Sequence, residues 1–219
     1  MALSDPQIER YSRQIIVPEV GGRGQERLLA SRLLIAGEPG DIEPLLAYMA
    51  GAGVGTIRIH TESDRPRVER AIADLRALNP DAKLVLAGGF FDPADLIVIL
   101  AGRVESINLV RKLANVPRSQ ALILARLDVP GKIAVMTGTP PCLACADAAL
   151  LAPAAARAET AGFIAMAAAV EAFKLLIGRM PSAPTLLEFD GYQCTARQIK
   201  AKSGAARCGC SIARAEAEP

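Results

Sequence analysis

The 219-residue chain has no tryptophan, a single histidine and only 4% aromatic residues. Each scarcity closes a class of function. Without aromatic platforms there is little on which unpaired bases could stack. The formal net charge of +2, with no basic run, gives no electrostatic footprint for a nucleic-acid backbone. The one histidine, His60, confines any Ser-His-Asp arrangement to itself, and no nucleophile-elbow motif accompanies it. Apolar runs long enough to span a bilayer are also lacking. The most apolar stretch, 161–177, carries Glu171 and Lys174, three apart and read as an ion pair on a buried helix. The opening residues, MALSDPQIERYSRQ, lack the basic-then-apolar layout of a signal peptide. These features predict a cytoplasmic protein with neither a membrane nor a nucleic-acid partner.

What is present is apolar material, 51% of residues, sufficient for the core of one domain. The most informative stretch is 32–55. An apolar run, 33–36, reads as a buried parallel strand. A turn, Gly37-Glu38-Pro39-Gly40, leads to an amphipathic helix over 41–52 with Ile42, Leu45, Leu46 and Met49 on one side. Gly51, Gly53 and Gly55 close it before a second strand over 56–61. Strand, turn, helix and strand in this order place a phosphate on a helix N-terminus in nucleotide-binding proteins. Here the turn holds only Gly37 and Gly40, Pro39 removes a donor, and Glu38, Asp41 and Glu43 add negative charge. The shape of a nucleotide site is expected, without its phosphate chemistry.

Before this unit, Ser4 and Gln7 form a capping-box pattern that predicts a helix to about residue 14. Ile15-Ile16-Val17 is expected to be extended, and Gly21-Gly22 to break the chain before a helix over 23–30. After it come a helix over 65–79, strands over 83–87 and 95–100, a helix over 104–115, and strands over 121–127 and 132–136. This alternation predicts a Rossmann-like, doubly wound α/β fold, its sheet mostly parallel and helices on both faces. The last third holds an Ala-rich helix and an antiparallel hairpin, 186–189 with 195–200. A single domain over 1–219 is expected: a helical extension (1–31), a nucleotide-binding-type core (32–136) and a zinc, helix and hairpin part (137–219).

Cys142 and Cys145 form one close pair, Cys208 and Cys210 another. Four thiolates in two pairs suit a structural tetrahedral zinc site. A redox couple at Cys142/Cys145 and unliganded thiols are the alternatives. Cys194 is left over and reads as a small buried residue.

Several motifs in order resemble the ThiF/MoeB/HesA family, bacterial relatives of ubiquitin-activating enzymes. Arg10-Tyr11-Ser12-Arg13-Gln14-Ile15 is similar to the family's opening R-Y-x-R-Q. Gly24-Gln25-Glu26 and Ser31–Ile35 are similar to its lead into the first strand, and Ala50–Gly55 to the run before the second. Pro66-Arg67-Val68-Glu69, Asn79-Pro80 and Glu171–Leu176 with Gly178 resemble later helices, and the cysteine pairs occupy its zinc positions. The resemblance implies a homodimer that binds ATP and Mg²⁺ and adenylylates the C-terminal Gly-Gly of a ubiquitin-like sulfur-carrier protein.

Carried over by position, much of that equipment is altered. The glycine loop corresponds to Gly37–Gly40, and the ribose-holding acid to Thr61 with Glu62 adjacent. The N-x-x-R-Q segment is missing, and Arg67 stands where a phosphate-binding lysine is expected. The Mg-binding aspartate falls near Gly102, and the region of the optional catalytic cysteine, 151–161, has none. Arg13, which in the family reaches across a dimer to the phosphates, is kept. Arg65, Arg67 and Arg70 fit a phosphate role and a solvated helix face equally. The expectation is a divergent member that keeps the fold, dimer and zinc and binds a carrier or an activating partner, with adenylylation lost. The alternative is an active adenylyltransferase with a site rebuilt from Arg13, Glu62, Arg65, Arg67 and Arg103.

Overall fold

Two helices, α1 (Asp5–Ile15) and α2 (Gly21–Ala30), precede a sheet whose strands begin with β1 (Arg32–Ala36). Then follow α3 (Pro39–Ala52), β2 (Thr56–His60), α4 (Arg65–Leu78), β3 (Lys83–Leu86), β4 (Leu96–Ala101), β5 (Ala121–Arg126) and β6 (Gly131–Met136). A long helix, α5 (Ala158–Leu176), and the strands β7 (Thr185–Asp190) and β8 (Thr195–Ile199) complete the order. The computed structural model describes residues 2–87, 93–102, 121–137, 158–181, 183–190, 193 and 195–199.

The strands form one sheet in the order β3-β2-β1-β4-β5-β6-β7-β8. The first five are parallel and the remaining pairings antiparallel. The expected mostly parallel sheet and C-terminal hairpin are both present, and the antiparallel part also takes in β6. The reason is length. Four residues, Leu127 to Pro130, join β5 to β6, enough to reverse the chain but far short of a parallel crossover.

Burial follows the strand sequences. Leu33, Leu34, Ile35 and Ala36 are all fully buried, and every residue of β4 is buried, as continuous apolar runs between two covered faces require. In β2 only Ile57 and Ile59 are buried, so that strand alternates. One core contains Leu33, Ile35, Ile57, Val98 and Ile123 with the inner residues of α3, α4 and α5. The predicted stripe is there: Leu46 and Met49 are core, with Leu75 packed against it. Ala165, Ala168, Ala169 and Ala172 of α5 are fully buried, and their small side chains let that helix lie close to the sheet and to α3. Glu171 and Lys174 pair at 2.6 Å as expected. The other face carries a second buried cluster, including Leu34, Ile97, Ile99, Leu122 and Leu124. The helix expected over 104–115 lies outside the described residues, so the described helices α3, α4 and α5 lie against the first face.

The N-terminal region departs from expectation in two places. Ile15 ends α1 and Ile16 is its helical C-cap rather than part of an extended run, and the Val17 N–H bonds the Gln14 carbonyl at 3.1 Å. Three β-branched residues with no neighbouring strand have nothing to pair with, so local helix bonds prevail. Gly21 and Gly22 lie inside α2 instead of before it. The Ser4 N–H donates to Gln7 Oε1 at 3.1 Å, one arm of the predicted capping box.

Helix α1 is fastened by the motif residues Arg10 and Tyr11. Arg10 pairs with Asp81 at 2.6 Å. The buried Tyr11 hydroxyl lies 3.1 Å from an Asp81 carboxylate oxygen and accepts from Asn79 Nδ2 at 3.0 Å. Burial raises the Tyr11 pKa, Asn79 opposing and Asp81 adding to that shift. Asn79 Nδ2 also donates to the Ala50 carbonyl at 2.7 Å, joining the ends of α3 and α4. Gly53 caps α3 at φ 86°, where a side chain is disfavoured and a Cβ would stand 2.6 Å from the Tyr11 ring. Asn79→Ala should therefore cost about 1–3 kcal/mol, because the buried Ala50 carbonyl and Tyr11 hydroxyl lose a partner. Urea denaturation checks this, and an unchanged midpoint would show that the network carries no stability.

Candidate functional site

Strand order reverses between β1 and β4, and in open α/β sheets ligands bind outside the C-terminal strand ends at such a point. Here that crevice is edged by Gly37 after β1, His60 and Thr61 at the end of β2, Ala101 and Gly102 at the end of β4, and the start of α3. The Gly37 N–H donates to the His60 carbonyl at 3.2 Å. His60 ends its strand, as expected.

The connection from β1 is shorter than the predicted four-residue turn. Only Gly37 and Glu38 lie between β1 and α3, with Pro39 in the first helical turn and Gly40 already helical. Proline's fixed φ suits that position, which moves the helix start back by two residues. Pro39 supplies no N–H, and the Asp41 and Ile42 amides turn to the Glu38 carbonyl at 3.0 and 3.1 Å. A Cβ on Gly37 would stand 2.8 Å from the Leu100 carbonyl oxygen and 2.9 Å from Ile42 Cγ2. Glycine there serves close strand–helix packing. On Gly40 a Cβ would meet nothing nearer than the Arg67 guanidinium at 3.6 Å.

That guanidinium is held by α3. Arg67 Nε lies 2.5 Å from Glu43 Oε1 and Arg67 Nη2 lies 2.8 Å from Glu43 Oε2, a two-point pair between α4 and α3. The pairing holds the Glu43 carboxyl below its ordinary pKa and raises that of Arg67. A depressed carboxyl stabilises the fold above its unfolded pKa and loses that contribution as pH falls through the folded value. The latch is therefore closed at neutral pH. The neighbouring loop is tied down too. Ser63 Oγ donates to the Glu38 carboxylate, and the Ser63 N–H donates to Thr61 Oγ1 at 3.2 Å. Asp64 caps α4 by accepting from the Arg67 N–H at 3.2 Å. Arg65 pairs with Glu69 at 3.4 Å on an exposed helix face, which fits the solvated reading of that residue.

Of the sequence-predicted positions, Gly37, Gly40, Glu62 and Arg67 lie around this one crevice, with Glu62 exposed at its rim. Arg13 lies elsewhere in the same chain. It is exposed on α1, two residues from Tyr11, at the end of α3 marked by Gly53. Helix α3, between Gly37 and Gly53, is itself roughly 20 Å long. The end of β4 at Ala101-Gly102 carries no carboxylate. Cys142, Cys145, Cys194, Cys208, Cys210 and Arg103 lie outside the described residues. Among the described residues no group of three or more His, Cys, Asp or Glu could hold a metal, and no helix is long and apolar enough to cross a membrane.

Sequence reasoning missed two features. Glu43 was visible only as negative charge, since its partner lies 24 residues away. Arg126 is buried at the end of β5 and pairs with Asp128 at 3.1 Å. The signal for it was an arginine closing an apolar run with an aspartate two residues on. A cavity of about 310 Å³, lined by Arg27, Ser31, Asp95, Leu96, Leu175 and Met180 among others, lies at the opposite end of the strands. Its arginine is engaged with the Ile177 carbonyl at 2.7 Å.

No family model matches the chain. It is 33% identical over 120 residues to SAMP-activating enzyme E1 of Haloferax volcanii, covering 47% of this chain and 44% of that protein. An alignment of 271 positions with the adenylyltransferase and sulfurtransferase uba4 of Aspergillus clavatus shows 27% identity, covering 98% of this chain and 54% of that protein. A 58-residue stretch is 50% identical to the probable adenylyltransferase/sulfurtransferase MoeZ of Mycobacterium tuberculosis, 26% of this chain and 15% of that protein. The chain spans about half the length or less of these relatives. Among solved structures, E. coli MccB with MccA superposes with a TM-score of 0.70 at 17% identity, covering 95% of this chain and 75% of that one. MccB with ATP gives 0.67 at 17% identity, covering 92% and 74%. These structures share the fold.

The two glycines should respond oppositely to alanine. Gly37→Ala should destabilise by about 1–3 kcal/mol through the clash with Leu100 and Ile42. Gly40→Ala should be neutral or stabilise by up to ~1 kcal/mol, since it adds helix propensity in free space. Thermal melts of both variants check this. Equal losses would mean that Gly40 also has a packing role.

Proposed function

Since the chain is a relative of the ThiF, MoeB and HesA proteins, we propose that it binds a ubiquitin-like sulfur-carrier protein, or the activating partner of one, and no longer adenylylates it. One observation carries this reading: the cation at the family's phosphate position, Arg67, is held at two points by Glu43. Adenylyl transfer needs cations and Mg²⁺ to neutralise triphosphate charge in the transition state. The crevice has carboxylates at Glu38, Asp41 and Glu43 and none at the Mg position beside Gly102. Loss of one preorganised electrostatic group costs roughly 10²–10³ in rate. Several such losses together leave a crevice suited to holding a tail and unsuited to the chemistry.

A small protein ending in Gly-Gly should co-purify with the chain equally with and without ATP, and pyrophosphate exchange with that carrier should stay at background. A carrier that fails to bind removes the reading. Metal-dependent exchange well above background favours a second reading, an active adenylyltransferase with a rebuilt site. Its support is the relatives' names, since proteins called adenylyltransferases align over nearly the whole chain.

Two further parts belong to this proposal. Cys142, Cys145, Cys208 and Cys210 hold a structural zinc. The chain also forms a homodimer in which Arg13 serves the other subunit, a role supported by its exposure on α1 two residues from Tyr11, which packs against the Gly53 end of α3. Purified protein should contain zinc in about a one-to-one ratio and sediment as a dimer. Metal-free folded protein would remove the first part and a monomer the second.

A further inference from the structure

We infer that Glu43 is a built-in substitute for an anionic ligand and the specificity-determining residue that keeps polyphosphate out of the crevice. The inference rests on the proposed descent of this crevice from a nucleotide site. It adds a named cause for the exclusion and a way to reverse it.

Three observations converge. The first is geometric. Both Glu43 oxygens engage Arg67, at 2.5 and 2.8 Å, through Nε and Nη2. A guanidinium grips carboxylate and phosphate through the same parallel pair of N–H donors, so this pair uses the donors a phosphate would need. The second is positional. The Arg67 guanidinium lies 3.6 Å from where a Gly40 Cβ would stand, against the first turn of α3. That turn carries the partial positive charge that attracts anions. Glu43 begins one turn further along and brings its carboxylate to a cation on α4. The third is the company it keeps. Glu38 takes the Ser63 hydroxyl in the adjacent loop, so a second nearby donor is also occupied by a carboxylate of the chain itself. The Arg67 and Glu43 side chains remain 45% and 34% exposed, so the pair lies at an accessible mouth where an anion can compete for it.

A plain inter-helix ion pair would have the same distances and a different response to mutation. Glu43→Gln removes the charge, keeps the size and releases Arg67. Inorganic pyrophosphate, titrated calorimetrically in the absence of carrier, is the probe. Glu43→Gln should bind it about tenfold more tightly than the parent chain, the order expected when one exposed two-point pair no longer competes. Glu43→Asp, which keeps the charge, should stay within about threefold of the parent. The double variant Glu43→Gln/Arg67→Gln should fall back to the parent value. The inference is overturned if Glu43→Gln binds no better than the parent, or if its gain survives in the double variant. Far-ultraviolet circular dichroism and a thermal melt establish that each variant is folded, and an unfolded Glu43→Gln would likewise overturn it by making the pair a structural requirement. Carrier binding does not enter this titration. A chain that fails to bind carrier while Glu43→Gln gains pyrophosphate affinity would refute the proposed function and leave this inference standing.

Discussion

The complete burial of Leu33 to Ala36 in β1 organises this molecule. Leu33 and Leu34 are adjacent in sequence, point to opposite faces of the sheet and are both fully buried. Each such side chain contributes about 1.5–3 kcal/mol of transfer free energy only if its own face is covered. Both faces must therefore be closed, and strands must pair on both edges of β1. Strand β2 lies on one side and β4 on the other. The chain leaves β1 into α3, returns in β2, and crosses to β4 only after β3. The crevice at the end of β1 follows from that order. It is a by-product of burying four apolar residues, Leu33 to Ala36, in the middle of a sheet.

That origin separates the shape of the crevice from the chemistry of its side chains. Its shape depends on Leu33 to Ala36, on the close contact of Gly37 with Leu100 and Ile42, and on the packing of α3 against α5. None of these involves the side chains that face its mouth. Ser63 donates to Glu38 and Arg67 pairs with Glu43, two separate contacts made within the chain itself. The core does not depend on them, since exposed ion pairs contribute little to stability.

The R-Y-x-R portion of the opening motif divides between two fates. Arg10 and Tyr11 hold α1 against the turn between α4 and β3, and through Asn79 they connect it to the end of α3. Arg13 faces solvent on the same helix. Helical geometry makes the division between Tyr11 and Arg13 natural, because residues two apart on one helix lie on different faces. One short motif thus contains residues held by the fold and a residue that is not.

The amino-acid sequence by itself determined the described strands of the sheet and the long helices α3, α4 and α5, because continuous apolar runs, 3.6-residue periodicity and proline or glycine punctuation are local signals. It misjudged short segments such as Ile15–Val17 and the Gly37–Gly40 turn, where a few helix bonds or a proline's fixed φ outweigh residue preference. Only the tertiary structure decided which residues distant in sequence meet. Glu43 and Arg67 are 24 residues apart, and Tyr11 and Asn79 are 68 apart. Such pairs depend on how two helices are laid across one sheet, and no property of either residue alone contains that information.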